Sequence, residues 1–440
     1  MNTERNKCSI SPLRSLARIS VIGLALTALS SCGPLNQLGQ EVRSMYHDAR
    51  IIGRVDGSGT RPVKVLVYKK NTSDGSFAVA DATSPNALGD FVFLMPRNET
   101  YFIAAVEAGK KQNLVSIYGG SEMKALPKDR DLDPKSLVLD LKTRIDRQAP
   151  ATRELERALE NWKPAPDAAS SSVAIACGDI ASLDDPAFDP QAGEKGLWAP
   201  ITSAKRYGLG VYFLERYDPN KIPVIFVHGI GGTPRSFKPI IESLDHRRYQ
   251  AWVYSYPSGL PIDSAAQGLA DLTDRLQKHY GFKKVHVVAH SMGGLVARRS
   301  VQRSANDLGK NYIASLTTIS TPWNGVPFAT VGVLGLPVSI PCWTDLRPGS
   351  KFIHKILSDP LPMPHLLIAT EKSSFRITLP KRNDGSVSVA SQMDERAVSR
   401  STKNKLLPYD HTQVLEAVET HDALNAFLSR EGRTPMRPLR

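Results

Sequence analysis

Hydrophobic and polar positions divide the chain into three textures. Over 46–141 the apolar residues come in short runs, RIIGRV, VKVLVY, DFVFLMP, TYFIAAVE and SLVLDL, separated by Gly, Asn, Asp, Ser and Pro. Runs of this length between turn formers predict strands, and their number predicts a small all-β sandwich domain over 46–143. ATRELERALENW (151–162) repeats its apolar residues at helical spacing and predicts one amphipathic helix. The Pro-, Ala- and Ser-rich stretch 163–172 then predicts a linker, so that 144–200 is a helix and connecting region. No period is evident over 173–196, and no element is predicted there.

From 201 onward strand and helix patterns alternate: VYFLERY, IPVIFVHG, YQAWVYSYP, a helical stretch over 263–280, KKVHVVAH, a helix from Met292, and YIASLTTIS. Alternation of this kind predicts an α/β domain over 201–440, with a mostly parallel sheet covered by helices. A length of 440 residues exceeds one ordinary domain and accommodates both units. No internal repeat relates the two halves.

The N-terminus changes this picture. Arg5, Lys7, Arg14 and Arg18 precede an apolar run over 19–29, followed by small residues and Cys32. This is the order of an export signal. Eleven residues of helix span roughly 16 Å, about half the hydrocarbon thickness, so the run is too short for a transmembrane anchor. The Leu29-Ser30-Ser31-Cys32 quartet resembles a bacterial lipobox. That resemblance implies that 1–32 is a lipoprotein signal peptide with its lipidated Cys32, that Cys32 becomes the acylated mature N-terminus, and that Gly33 after it directs the protein to the outer membrane. Plain secretion with cleavage near Ser31 is the alternative.

The formal charge is +13, and the chain stays basic without residues 1–31. A basic surface suits anionic lipid or an acidic polymer. Dense Lys/Arg runs with interleaved aromatics are absent from the sequence, so nucleic acid is not an expected partner. Neither Cys-x-x-Cys nor His-Glu-x-x-His spacing occurs, so no metal is expected. With Cys8 in the signal and Cys32 as anchor, Cys177 and Cys342 remain, and an exported compartment permits a disulfide between them.

The densest chemical information lies in KVHVVAHSMGGLVARRS. A buried-type strand runs into His290-Ser291-Met292-Gly293-Gly294 and then into a helical pattern. This is a strand, sharp turn and helix around a serine, with Ala289 replacing the first Gly of G-x-S-x-G. Small residues two before and two after the Ser relieve crowding of the flanking backbone. Upstream, IPVIFVHGIGGTPRSF ends a second strand in His228-Gly229-Ile230-Gly231-Gly232.

VHGIGG followed by AHSMGG resembles the lipase and esterase branch of the α/β-hydrolase superfamily. The resemblance implies Ser291 as nucleophile and an oxyanion hole made by the Ile230 and Met292 N–H groups. It also implies the chain order Ser, Asp or Glu, His. Asp384, in KRNDGSVSVASQ after the strand candidate HLLIATEK, and His411, in LPYDHTQVLEAV, fit the acid and base positions. Glu371, Asp394 and Asp410 are rivals for the acid. His421 is the rival for the base, while the place of His228 and His290 in the motifs makes them structural. A Ser-His-Asp triad hydrolyses an ester through an acyl-enzyme without a cofactor.

A lid-like insertion spans about 322–364. Its Trp323, Phe328, Val331, Leu334, Leu336 and Trp343 either line an acyl site or complete the core. Apolar lid, lipid anchor and basic charge together favour a hydrophobic or lipid ester as substrate. An acyltransferase with the same acyl-enzyme is the chemical alternative, and a surface binding protein with an inactive hydrolase domain is the alternative of another class. GDFVFLMPRNETYFIAAVE resembles the carboxypeptidase-regulatory or transthyretin-like sandwich domains, whose plain role here is a spacer between membrane and enzyme.

Overall fold

The computed structural model describes residues 32–433, apart from 58–61, 98, 108–112, 121–122, 127–136, 143–144, 161, 163–171, 331–338 and 373–378. The lipobox residues Leu29, Ser30 and Ser31, the Cys32 side chain, and Val331, Leu334 and Leu336 lie outside what is described. The described chain starts with a helix, Cys32–His47, and continues into seven strands: β1 (Asp48–Asp56), β2 (Val63–Lys70), β3 (Phe77–Thr83), β4 (Asp90–Pro96), β5 (Tyr101–Glu107), β6 (Asn113–Ile117) and β7 (Val138–Asp140).

They form two sheets of order β4-β1-β7 and β3-β2-β5-β6. β1 pairs antiparallel with β4, from Asp48 opposite Pro96 to Arg54 opposite Asp90. Alternate residues of β1 point inward, and Ile51 and Val55 meet Phe91 and Phe93 of the same sheet and Val65, Val67 and Ile103 of the other in one buried cluster. The outer face of the second sheet is covered by helix Pro150–Glu160 through Leu155, Ala158 and Leu159.

The larger unit is built on β8 (Ile175–Ile180), β9 (Leu209–Phe213), β10 (Ile222–Val227), β11 (Tyr249–Ser255), β12 (Val285–His290), β13 (Ile313–Ile319), β14 (His365–Thr370) and β15 (Lys403–Leu407). Their order is β15-β14-β13-β12-β10-β11-β9-β8. The strands from β15 to β11 run parallel, β9 is antiparallel to β11, and β8 runs with β9. β12, β13 and β14 are buried along their whole length, as central strands between two helical layers must be, and buried polar side chains pair across them, His286 with Ser315 and Thr318 with His365. On one face Val287 and Leu316 pack against Ala265 and Leu269 of helix Ile262–Tyr280 and Leu295 of helix Met292–Gln302. On the other, Val288 and Ile319 pack against Leu424 and Phe427 of helix Val418–Arg433. This is the α/β-hydrolase fold expected above, with a small β-sheet unit before it.

Several features escape the sequence pattern. β3, β6 and β15 are not among the runs expected to form strands, and the unassigned stretch 173–196 holds β8 and most of helix Pro190–Trp198. Helix Cys32–His47 belongs to the larger unit: Leu38 is buried in the same core that holds Leu197 and Val211. The small β unit is therefore an excursion of the chain between that helix and β8. It is fastened to the larger unit by a cluster of Val92, Val173 and Ala204 and by an Asp90–Arg275 ion pair.

The expected Cys177–Cys342 bond is not formed, and both are free, buried thiols. Cys177 lies under the Leu272 carbonyl, 3.9 Å away, well along helix Ile262–Tyr280. Cys342 sits in helix Pro341–Leu346, whose Asp345 binds the Ile262 N–H at the start of that same helix. Ten residues of helix separate the two levels, roughly 15 Å, whereas a disulfide tolerates Cα atoms no more than about 7 Å apart.

Candidate active site

Ser291 joins β12 to helix Met292–Gln302 with φ 55° and ψ −133°. A non-glycine residue here carries strain of about 1–3 kcal/mol, held by its surroundings. The Ser291 N–H donates to the Ile319 carbonyl at 2.8 Å, and its own carbonyl accepts from Gly294 at 2.9 Å. Crowding dictates the small neighbours. A Cβ on Gly293 would overlap the carbonyl oxygens of Val227 and His228, and one on Gly294 would overlap Thr321. A Cβ on Gly229 would lie 2.7 Å from Ser291 Cβ, which places the loop after β10 directly against the serine.

Three expected side chains meet at this turn. His411 Nε2 is 2.9 Å from Ser291 Oγ, and His411 Nδ1 is 2.7 Å from Asp384 Oδ2. They come from different parts of the sheet: Ser291 from the end of β12, Asp384 from the segment after β14, and His411 from that after β15. Backbone contacts fix the imidazole further. The His411 N–H donates to the Asp384 carbonyl at 2.9 Å, and His290 Nε2 donates to the His411 carbonyl at 2.7 Å.

Asp384 is 1% exposed and saturated with donors. Oδ1 accepts from the N–H groups of Ser386 and Val387 at 3.0 and 2.7 Å. Oδ2 accepts from Thr370 Oγ1 at 2.8 Å and Gln392 Nε2 at 3.0 Å as well as from His411. Thr370 Oγ1 is itself 2.8 Å from Ser320 Oγ, and Ser320 has a left-handed φ of 52° at the end of β13. Because the Thr370 proton goes to the carboxylate, its oxygen accepts from Ser320. Burial pushes the Asp384 carboxyl up, but the opposing charge of His411 and this ring of hydrogen bonds outweigh it and hold the group below its ordinary value. Ser320, Thr370 and Gln392 were not singled out from the sequence. Small polar residues at strand ends carry no pattern that would mark them.

The rival residues are occupied elsewhere. Glu371 pairs with Arg382 at 2.7 Å, Asp394 with Arg396 at 2.9 Å, and Asp410 accepts from the backbone of Thr412 and Gln413. His421 Nε2 bonds the Leu415 carbonyl at 2.9 Å. Burial lowers His228 to about 4 and His290 to about 3, so both stay neutral at neutral pH.

Met292 opens its helix, so its N–H has no carbonyl one turn behind it. Ile230 stands in the facing loop, half-buried. That loop is held from several sides. Tyr256 stacks on His228 at 4.4 Å and donates its hydroxyl to the His228 carbonyl at 2.8 Å. Ser258 Oγ accepts from the Gly231 N–H at 2.9 Å, and Thr233 donates to the Phe188 carbonyl at 2.7 Å. Helix Pro190–Trp198 presses on the loop through Gly193, where a Cβ would come 2.9 Å from the Gly232 carbonyl. Tyr256 and Ser258 were likewise not read as site residues.

In the lid-like insertion, Trp323 and Trp343 are 0% and 3% exposed and belong to the main core. Trp343 packs edge-on against Trp198 at 5.8 Å and Phe328 at 6.4 Å, while the Arg298 guanidinium lies over Trp323. These two tryptophans thus serve the packing role. Among the described residues no cluster of His, Cys, Asp and Glu is arranged to hold a metal ion.

Comparison with known proteins places these features in context. Residues 224–424 match the family described as alpha/beta hydrolase. A triacylglycerol lipase of Burkholderia plantarii is 29% identical over 150 residues, 32% of this chain and 38% of the relative. Another, of Pseudarthrobacter phenanthrenivorans, is 30% identical over 125 residues, 26% of this chain and 37% of the relative. The matches thus span well under half of these relatives' own length. Among solved structures, the mature lipase BlEst2 of Bacillus licheniformis has 18% identity and a TM-score of 0.39, covering 49% of this chain and 94% of that one. The product of gene lin2722 of Listeria innocua has 18% identity and a TM-score of 0.38, covering 50% and 97%. By its strand order the larger unit has the α/β-hydrolase fold, and within it residues 224–424 are similar to the alpha/beta hydrolase family.

Proposed function

We propose that the protein is a serine hydrolase of carboxylic esters, with Ser291 as nucleophile, His411 as general base and Asp384 as its orienting partner, and that an acylated Cys32 anchors it to a bacterial outer membrane. The observation that carries the catalytic assignment is the unbroken chain from Ser291 Oγ through His411 to Asp384, at 2.9 and 2.7 Å. With Nδ1–H donated to Asp384, the Nε2 lone pair faces the serine hydroxyl. His411 takes that proton as Oγ attacks the ester carbonyl, and Asp384 stabilises the imidazolium. The N–H groups of Ile230 and Met292 receive the oxyanion, and loss of one such donor typically costs about 100- to 1,000-fold in turnover. His411 then protonates the departing alcohol, and water repeats the sequence to release the acid and restore Ser291.

The two lipase relatives favour a hydrophobic acyl ester as substrate. A panel of short- and long-chain esters tests this, with wild type compared with Ser291→Ala and His411→Ala. Hydrolysis that depends on both residues supports the assignment, and chain-length preference narrows the substrate. Hydrolysis that persists in Ser291→Ala contradicts it.

A further inference from the structure

Glu41 is 5% exposed, and its carboxylate accepts from the Ile201 N–H at 2.6 Å, the Thr202 N–H at 3.1 Å and the Thr202 hydroxyl. Helix Pro200–Tyr207 begins after Ala199, which has no side chain to cap it, so Glu41 supplies the cap from another helix. Leu38, one turn earlier, is buried in the same core as Leu197, Met292 and Trp343. Helix Cys32–His47 is thus clamped to the hydrolase by both an apolar and a charged contact.

The direction of the clamp follows from its ends. Helix Cys32–His47 runs into β1, so its C-terminus faces the small β unit. Helix Pro200–Tyr207 also ends toward that unit, where Ala204 meets Val92, and begins near Trp198, which packs on Trp343 of the insertion. Glu41 joins the beginning of this second helix. From Glu41 back to Cys32 is nine residues, roughly 14 Å of helix directed away from the β unit. We infer that helix Cys32–His47 is a strut that turns the insertion-bearing side of the hydrolase toward the lipid bilayer and holds the β unit on the opposite side. This rests on the proposed acylation of Cys32. The β unit is then no spacer between membrane and enzyme, and the ester substrate is one presented by the bilayer surface.

The test uses the full acylated chain on phosphatidylethanolamine/phosphatidylglycerol vesicles containing a rhodamine-lipid acceptor. A donor dye is placed at Thr344→Cys in the insertion or at Asp74→Cys in the turn between β2 and β3, both exposed positions. Energy transfer to the lipid is expected to be several-fold stronger from position 344 than from 74. Glu41→Ala should shrink that difference while leaving hydrolysis of a soluble short-chain ester unchanged. Equal transfer from both positions, or stronger transfer from 74, overturns the orientation, and a chain that does not float with the vesicles overturns the anchor beneath it. Ester hydrolysis in the same samples reports the catalytic assignment separately, because the transfer measurement needs no activity.

Discussion

Thr370→Val removes one hydroxyl and nearly preserves the shape of the side chain. In the folded protein that hydroxyl donates to Asp384 Oδ2 at 2.8 Å and accepts from Ser320 Oγ at 2.8 Å, with both residues fully buried. A hydrogen bond to a charged group contributes about 1.5–3 kcal/mol, and the stranded Ser320 donor adds to the loss. Unfolding in urea at pH 8 should therefore show a stability lower by about 2–4 kcal/mol. Asp384 is held below its ordinary pKa, so its stabilisation is complete above the ordinary carboxylate range and is lost as pH falls through the lowered value. Removing a donor raises that value toward the ordinary one, so the variant should lose less stability on acidification, and its loss should be complete at a higher pH than in wild type. Turnover should fall about tenfold, corresponding to about 1.4 kcal/mol, with KM unchanged. Thr370→Ser, which restores the hydroxyl, should recover most of the turnover. Unchanged stability and an unchanged acid limb in Thr370→Val would refute the reasoning, because the hydroxyl would then not be supporting the carboxylate.

Other expectations concern the turn, the loop and the thiols. Gly293→Ala places a Cβ on backbone oxygens that cannot swing aside. It should cost about 3 kcal/mol or more, read as a lowered melting temperature or loss of soluble protein. Ser258→Ala frees the Gly231 N–H beside the proposed oxyanion donor. Turnover should drop about fivefold, for about 1 kcal/mol, with little change in KM, and a pure KM effect would contradict the positioning role. Burial pushes the Cys177 thiol up to about 12 and Cys342 well above its usual value. Neither should react with a disulfide reagent at pH 8 until the protein is denatured, and both should then react without prior reduction. Thiols that appear only after reduction would indicate a bond between them.

What was legible in the sequence had strong local causes. Ser291 stands out because crowding at the strand-to-helix turn leaves no room for a Cβ at Gly293 or Gly294 after it. Asp384 and His411 follow from chain order, since parallel strands bring the ends of β12, β14 and β15 to one edge of the sheet. The surrounding shell left no such trace. Ser320, Thr370 and Gln392 are ordinary polar residues whose importance comes from converging on one carboxylate in space. Glu41 looks like a surface residue of a short amphipathic helix, yet its partner lies 160 residues away. β8 and helix Pro190–Trp198 escaped because Gly, Asp and Pro interrupt their apolar pattern. The Cys177–Cys342 pairing failed because counting cysteines carries no information about the helix that separates them.

The central claim is that Ser291 is activated by His411 and Asp384. Its most direct test is reaction of the folded protein with a fluorophosphonate, followed by peptide mapping of the modified residue. A single adduct on Ser291, formed by wild type and lost in His411→Ala, is the predicted result. A folded protein that forms no adduct, or carries it on another residue, would contradict the account.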